Sequence, residues 1–266
     1  MMEKTLASLL FDGLEGLADA GMVTRPVAYE IDGEPYEGVL VHDSSVQAPR
    51  PGLLMVPNWL GVNEASVRKA ARVARGKYAV LLADLYGKAV RPRSPDEARP
   101  VIAALRADRP LLRRRARAAL GVLRGLKGEG IDAERLGAIG FCFGGGAVLE
   151  LARDGAPVKG VVSFHGNLDT PDPTAAANIR AAILVLHGAL DPAVPPEQVD
   201  AFVQEMKGAP QVDWQLVSYG QAVHSFTNPL ADAPGRAQYH PVVAKRAFCA
   251  MDAFFDELFQ PAHHTD

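Results

Sequence analysis

Leu136-Gly137-Ala138-Ile139-Gly140-Phe141-Cys142-Phe143-Gly144-Gly145-Gly146 is the stretch that decides the reading of this chain. The apolar run 136–139 reads as a short buried strand, and Ala147-Val148-Leu149-Glu150-Leu151-Ala152 reads as the helix that follows it. A single Cys therefore sits on a sharp turn between strand and helix, with Gly two residues before and two after. That is the nucleophile-elbow pattern G-x-S-x-G with Cys in place of Ser. Small neighbours are needed because the backbone at the nucleophile is strained and the strand and helix approach closely. The turn lifts the side chain above the sheet edge and aims a helix N-terminus at the sulfur, which favours thiolate.

Working outward, strands and helices alternate from Pro51 onward, which predicts βαβ units and a mainly parallel central sheet flanked by helices. Residues 53–56, 78–83, 158–164 and 183–188 read as buried strands, and 212–219 as a partly covered one. Residues 63–76, 112–126, 197–207 and 241–258 follow helical spacing. Before this region, residues 23–31 and 37–41 read as strands joined at Asp32-Gly33, a hairpin signal, so the N-terminal strands are expected to be antiparallel. Residues 88–110 hold four prolines and no clean period. They read as an irregular crossover with a short helix near 95–105. Residues 1–20 form an N-terminal extension with an amphipathic pattern over 3–18, and residues 260–266 a tail. The whole, 1–266, is expected to be one α/β domain.

Three chemically competent residues fall in loops after successive strands, in the order Cys142, Asp191, His224. Nucleophile–acid–histidine is the chain order of the α/β-hydrolase fold, and ligands in open α/β sheets bind at that edge. Cys142 is the candidate nucleophile, His224 the candidate base, and Asp191 the residue that orients the imidazole. The loop Pro57-Asn58-Trp59-Leu60-Gly61-Val62-Asn63 follows the first parallel strand. In this fold that loop and the residue after the nucleophile supply oxyanion-hole N–H groups, which nominates the Trp59 and Phe143 amides. His187 reads as a hydrogen-bonding residue at a strand end, and His165 as either a packing residue or a substrate contact.

On these residues the chain resembles the dienelactone hydrolase family of the α/β-hydrolase superfamily. The matching stretches are Gly140-Phe141-Cys142-Phe143-Gly144-Gly145, Leu186-His187-Gly188-Ala189-Leu190-Asp191, His224-Ser225-Phe226, Asp84-Leu85-Tyr86 and Leu60-Gly61-Val62-Asn63. The resemblance implies an acyl hydrolase acting on lactone, ester or thioester carbonyls. It makes Tyr86 a candidate substrate-binding residue. It also marks departures. The family's type enzymes place a Glu before the oxyanion-hole residue, where Asn58 stands here, and Asn cannot act as a base. They clamp a substrate carboxylate with two arginines; Lys88 and Asn228 lie near those places. Lys88 keeps the charge without the bidentate fork. These departures set the chain apart from the type enzymes that take a carboxylated dienelactone, and Asn58, Lys88 and Asn228 stand as candidate substrate-binding residues.

Composition narrows the field further. A net charge of -3 gives no pull toward nucleic acid, and Arg113, Arg114, Arg115 and Arg117 read as the solvated face of a helix. No Lys-Ser/Thr follows Gly144-Gly145-Gly146, so nucleotide binding is not indicated. No apolar run reaches the roughly 18–20 residues of a membrane span. Acidic residues Glu3, Asp12, Glu15 and Asp19 interrupt the N-terminal pattern, which argues against a signal peptide. Two cysteines, Cys142 and Cys249, point to a reducing cytoplasm, and Cys249, between Phe248 and Met251, reads as core. No metal-ligand spacing is present, and no cofactor is expected. The partner is a small-molecule ester or lactone, and the assembly a monomer or homodimer. A binding protein without turnover and a thiol redox sensor are the competing classes.

Overall fold

The computed structural model describes residues 17 and 21–260. The helix expected over 3–18 and the tail after 260 lie outside the described residues, apart from Leu17. The chain divides into two compact units, with the boundary between Leu136 and Gly137.

In the first unit, β1 (Met22–Ile31) and β2 (Glu34–Asp43) form the expected antiparallel hairpin. Ile31 pairs with Glu34, so Asp32 and Gly33 alone make the turn, with φ 54° and 82°. Two positive φ values are what a type I′ turn requires, and Asp and Gly tolerate them. β3 (Arg50–Val56) and β4 (Ala79–Leu82) follow, in the order β1-β2-β4-β3. β2 and β4 are antiparallel, β3 and β4 parallel. Leu53, Leu54, Met55, Val80, Leu81 and Leu82 are fully buried, the signature of a sheet covered on both faces. The crossover helix α1 (Glu64–Ala74) starts at a capping box in which Asn63 and Ser66 satisfy each other's backbone N–H.

The short helix expected near 95–105 is α2 (Pro95–Ala107), capped by Ser94 and with Pro100 inside it, and the helical spacing over 112–126 falls on α3 (Arg109–Gly125), capped by Asp108. Pro95 and Pro110 lie in the first turns of their helices, where the missing N–H costs nothing. Helical spacing on α3 is borne out: Leu112, Ala116, Ala119, Leu120 and Leu123 are buried. Its basic residues are not all solvated, however. Arg114 and Arg117 are exposed, but Arg115 turns inward. Its Nη1 donates to Leu85 O at 2.7 Å, and its guanidinium lies 5.4 Å over the Tyr36 ring. A long stem lets the same helix face serve solvent and interior.

In the second unit, β5 (Ile131–Phe141, begun before the boundary), β6 (Gly160–Phe164), β7 (Ala182–Gly188) and β8 (Trp214–Tyr219) run parallel in that order. Helices α4 (Phe143–Arg153), α5 (Pro196–Lys207) and α6 (Pro241–Phe259) cover them. The chain thus has the α/β architecture with a mostly parallel central sheet. Every residue of α4 is buried. On α6, Val243, Ala244, Ala247, Phe248, Met251, Phe254, Phe255 and Phe259 face inward. Cys249 falls one position off that stripe and is exposed, so it is not a core residue. Val242, in the first turn of the same helix, is also exposed.

One buried charge network ties this unit together. Arg153, at the end of α4, donates to Glu150 on its own helix at 2.9 Å. It also donates to both Glu205 oxygens on α5 at 2.7 and 2.8 Å, and to Leu168 O at 3.1 Å. All three ionic side chains are at most 2% exposed. Removing the cation would strand two carboxylates in the interior. Arg153→Ala is expected to lose about 3–5 kcal/mol of unfolding free energy in urea titrations; a loss below about 1 kcal/mol would contradict this account of the network.

Candidate active site

β5 ends at Phe141 and α4 begins at Phe143, so Cys142 is the whole connection. Its φ is 55°, left-handed and unfavourable for a side-chain-bearing residue. The backbone is held there on both sides: Cys142 N–H donates to Phe164 O at 3.0 Å, and Cys142 O accepts from Gly145 N–H at 2.9 Å. The flanking glycines are sterically required. A Cβ on Gly140 would lie 1.9 Å from Gly144 O, and one on Gly145 would lie 2.7 Å from Gly166 Cα. No side chain caps α4, whose first N–H, that of Phe143, has no intrahelical acceptor.

Asp191 and His224 come from the loops after β7 and β8, and the structure brings both to Cys142. His224 Nε2 is 3.0 Å from Cys142 Sγ, and His224 Nδ1 is 2.7 Å from Asp191 Oδ2. The Asp191 side chain is fully buried, and its other oxygen accepts from Ala193 N–H at 2.8 Å. The two loops are joined by Leu190 N–H to Ala222 O at 3.0 Å. Gly188 makes that approach feasible, since a Cβ there would lie 2.6 Å from Ala222 O. The small hairpin of β9 (Asp232–Ala233) and β10 (Ala237–Gln238) backs His224, with Gln238 N–H donating to His224 O at 3.0 Å.

Burial alone would pull the His224 pKa down. The hydrogen bonds and negative charges of Asp191 and Cys142 outweigh it and push the pKa up to about 10. The imidazole is therefore charged at neutral pH. Its folded value lies above the ordinary 6.5, so this proton stabilises the fold fully below pH 6.5, and the contribution is lost as pH rises through about 10.

The remaining candidates are placed as follows. His165, after β6, is buried, its Nε2 is 2.8 Å from Thr227 Oγ1, and its ring meets the His224 ring edge-on at 5.3 Å. Asn228 Oδ1 accepts from Leu230 N–H at 3.2 Å, within its own turn. In the first unit, Asn58 Oδ1 accepts from Leu60 N–H at 3.1 Å, and Tyr86, which is buried, donates through its hydroxyl to Trp59 O at 2.9 Å. Lys88 Nζ lies 3.0 Å from Glu37 Oε2. His187, read as a hydrogen-bonding residue, is instead buried with Nδ1 unpartnered, and burial holds its pKa below the usual histidine value.

Thr227 was not singled out by sequence. Its partner lies 62 positions away, and no local pattern announces the pair. A cavity of about 940 Å³ lies between the 168–177 segment and α5, lined by Leu168, Ala176, Phe202 and Glu205 among others. It includes none of the sequence-nominated residues. Among the described residues no group of three or more His, Cys, Asp or Glu side chains is placed to hold a metal ion. No described helix is long and apolar enough to cross a membrane.

The model of the dienelactone hydrolase family matches residues 37–259. An uncharacterized protein of Caenorhabditis elegans, K02A2.1, is 38% identical over 155 residues, 56% of this chain and 94% of that protein. The solved structure m3DLH is 40% identical with a TM-score of 0.84, covering 90% of this chain and all of its own. A dienelactone hydrolase-like promiscuous phosphotriesterase from metagenomic libraries is 37% identical, again with a TM-score of 0.84 and coverage of 90% and 100%.

The electrostatics of His224 can be read directly by NMR. Its ring proton is expected to titrate near pH 10, and the midpoint should fall in Asp191→Asn, which removes both a hydrogen bond and a charge that raise it. An unchanged midpoint in that variant would refute the assignment.

Proposed function

The chain belongs to the dienelactone hydrolase family, and we propose that this hydrolase of lactone or ester bonds works through an acyl-enzyme on Cys142, with His224 as proton carrier and Asp191 as its orienting partner. The observation that carries this reading is the unbroken line of contacts, Sγ to Nε2 at 3.0 Å and Nδ1 to carboxylate at 2.7 Å.

The cycle begins with His224 protonated and facing a thiolate. Sγ attacks the acyl carbon, and the carbonyl π electrons move to oxygen. The oxyanion forms beside the Phe143 N–H at the start of α4, a preorganised donor. The carbonyl re-forms, the C–O bond to the leaving group breaks, and that oxygen takes the proton from His224 Nε2. In a lactone the leaving hydroxyl stays attached to the acyl chain. Neutral His224 then removes a proton from water as the water oxygen bonds to the acyl carbon. Collapse breaks C–S, releases the carboxylic acid, and restores the thiolate and imidazolium.

The substrates are proposed to be neutral around the reacting carbonyl. Lys88 is paired with Glu37, and Asn228 Oδ1 is engaged by Leu230, so neither position offers a dedicated clamp for a substrate carboxylate. Thiolate leaves more readily than alkoxide or amide, which restricts the substrates to activated carbonyls: lactones, enol or aryl esters, and thioesters. The likeness to the metagenomic phosphotriesterase adds neutral phosphotriesters to the panel worth testing. The free thiol of Cys142 suits a reducing cytoplasm, the proposed location.

With p-nitrophenyl acetate the enzyme is expected to release a stoichiometric burst of nitrophenolate followed by slower turnover. Cys142→Ala and His224→Ala should each lower turnover by about 10³-fold or more. Full activity in Cys142→Ala would sink the acyl-enzyme. Tight binding without turnover across the panel would favour a binding protein, and reversible peroxide oxidation of Cys142 without hydrolysis a redox sensor.

A further inference from the structure

His224 is held by two polar contacts, and one of them cannot last through the reaction. Once Sγ is acylated it is a thioester sulfur, a poor hydrogen-bond partner, and Nε2 must turn from sulfur to water. In that state only the Nδ1 contact to Asp191 fixes the imidazole by hydrogen bonding. A ring anchored at one nitrogen can still tilt, so something else must hold its plane during deacylation.

The second unit places one side chain to do so. The His165 ring lies 5.3 Å from the His224 ring at 66°, edge to face. It is itself wedged against Phe226 at 5.0 Å and 83°, and against Phe141 at 6.1 Å. Its Nε2 lies 2.8 Å from Thr227 Oγ1, three residues after His224 in the same loop. The backbone at this point is as constrained as at the elbow. His165 has φ 39°, Ser225 has φ 59°, and His165 N–H donates to Leu186 O at 2.8 Å. Non-glycine residues persist in the left-handed region when surrounding packing over-determines them, which is typical of functional sites. His165 is 2% and Thr227 1% exposed, so the pair is locked inside the protein.

We propose that His165, anchored by Thr227, is a positioning residue that keeps the His224 ring aligned for water activation after Cys142 has been acylated. The inference rests on the acyl-enzyme reading above. It goes beyond it by giving acylation and deacylation different dependences on one residue. During acylation the ring is fixed by Cys142 and Asp191, and loss of the His165 wall is tolerated. During deacylation it is not. The reacting atoms remain those of Cys142, His224, water and the acyl carbon; His165 exchanges no proton with them.

The test separates the two half-reactions. The burst rate with p-nitrophenyl acetate reports acylation. Decay of the acetylated protein, followed by intact mass spectrometry after excess ester is removed, reports deacylation. His165→Ala is expected to leave the burst rate within about 3-fold and to slow adduct decay by about 10-fold or more, a displacement of order 1.4 kcal/mol in barrier. Thr227→Val, which removes the anchor while keeping the shape, should slow decay in the same direction by a smaller factor. His165→Phe restores a ring and should recover part of the rate lost in His165→Ala. Phenyl acetate, which forms the same adduct, should give the same decay rates.

Equal losses in both half-reactions would mean a general disruption and overturn the proposal. A change in KM alone would make His165 a substrate contact and overturn it too, as would decay at the wild-type rate in both His165→Ala and Thr227→Val. If His165→Ala does not fold, Thr227→Val and His165→Phe decide the matter. Absence of any burst or adduct in the wild-type protein is a different result, because it removes the acyl-enzyme reading itself.

Discussion

The close approach of β5 to α4 is the constraint on which the second unit depends. Strand and helix are joined by one residue, and a Cβ on Gly140 would fall within bonding range of Gly144 O. Glycine at 140 is thus a steric requirement of that approach, Gly145 is required by its contact with Ser163 and Gly166, and Cys142 between strand and helix has a left-handed backbone. From that geometry follow the half-buried position of Cys142 at the strand end and the start of α4 immediately after it, with its dipole directed toward the sulfur. The all-buried surface of α4 follows as well, because a helix starting so close to the sheet has no face left for solvent.

Around this point the charges are arranged in two layers. Near the sulfur, His224 carries a proton that Asp191 and Cys142 hold in place against the cost of burial. Behind it, Arg153 binds Glu150 and Glu205 and reaches Leu168 O, so it connects the helix after the nucleophile, the helix after the acid and the segment after His165. Breaking such a network by removing one partner would leave uncompensated charge in the interior, so the three elements keep these contacts together.

The first unit has its own hub. Asp84, 2% exposed, accepts from the Glu37, Tyr86 and Gly87 N–H groups and pairs with Arg91 at 2.8 Å, while Tyr29 donates to its carbonyl. Tyr86 in turn holds the 58–61 turn through Trp59 O. Of the residues that the family resemblance offers for substrate binding, Tyr86 braces a loop and Lys88 pairs with Glu37. The cation nearest the Asp84 turn, Arg91, lies inside the fold, bonded to Gly87 O and Glu37 O.

Local pattern was enough for the α/β class, the hairpin at Asp32-Gly33, the buried parallel strands, the amphipathic helices, and the nomination of Cys142, Asp191 and His224. Each of these is written in spacing: period two or 3.6 for the elements, glycines at fixed offsets for the elbow, strand ends for the acid and base. Local pattern misjudged what spacing does not encode. The helix expected near 95–105 runs on to Ala107 with Pro100 inside it, and Cys249 proved exposed because one residue of helical rotation separates core from surface. Only the tertiary structure decided the partners of His165, Arg153, Lys88 and Arg91. Pairings such as His165 with Thr227 or Arg153 with Glu205, 62 and 52 positions apart, depend on which strand ends and helices the fold brings together. Long-range polar contacts leave no trace in sequence period, since their geometry exists only after the sheet and helices have packed.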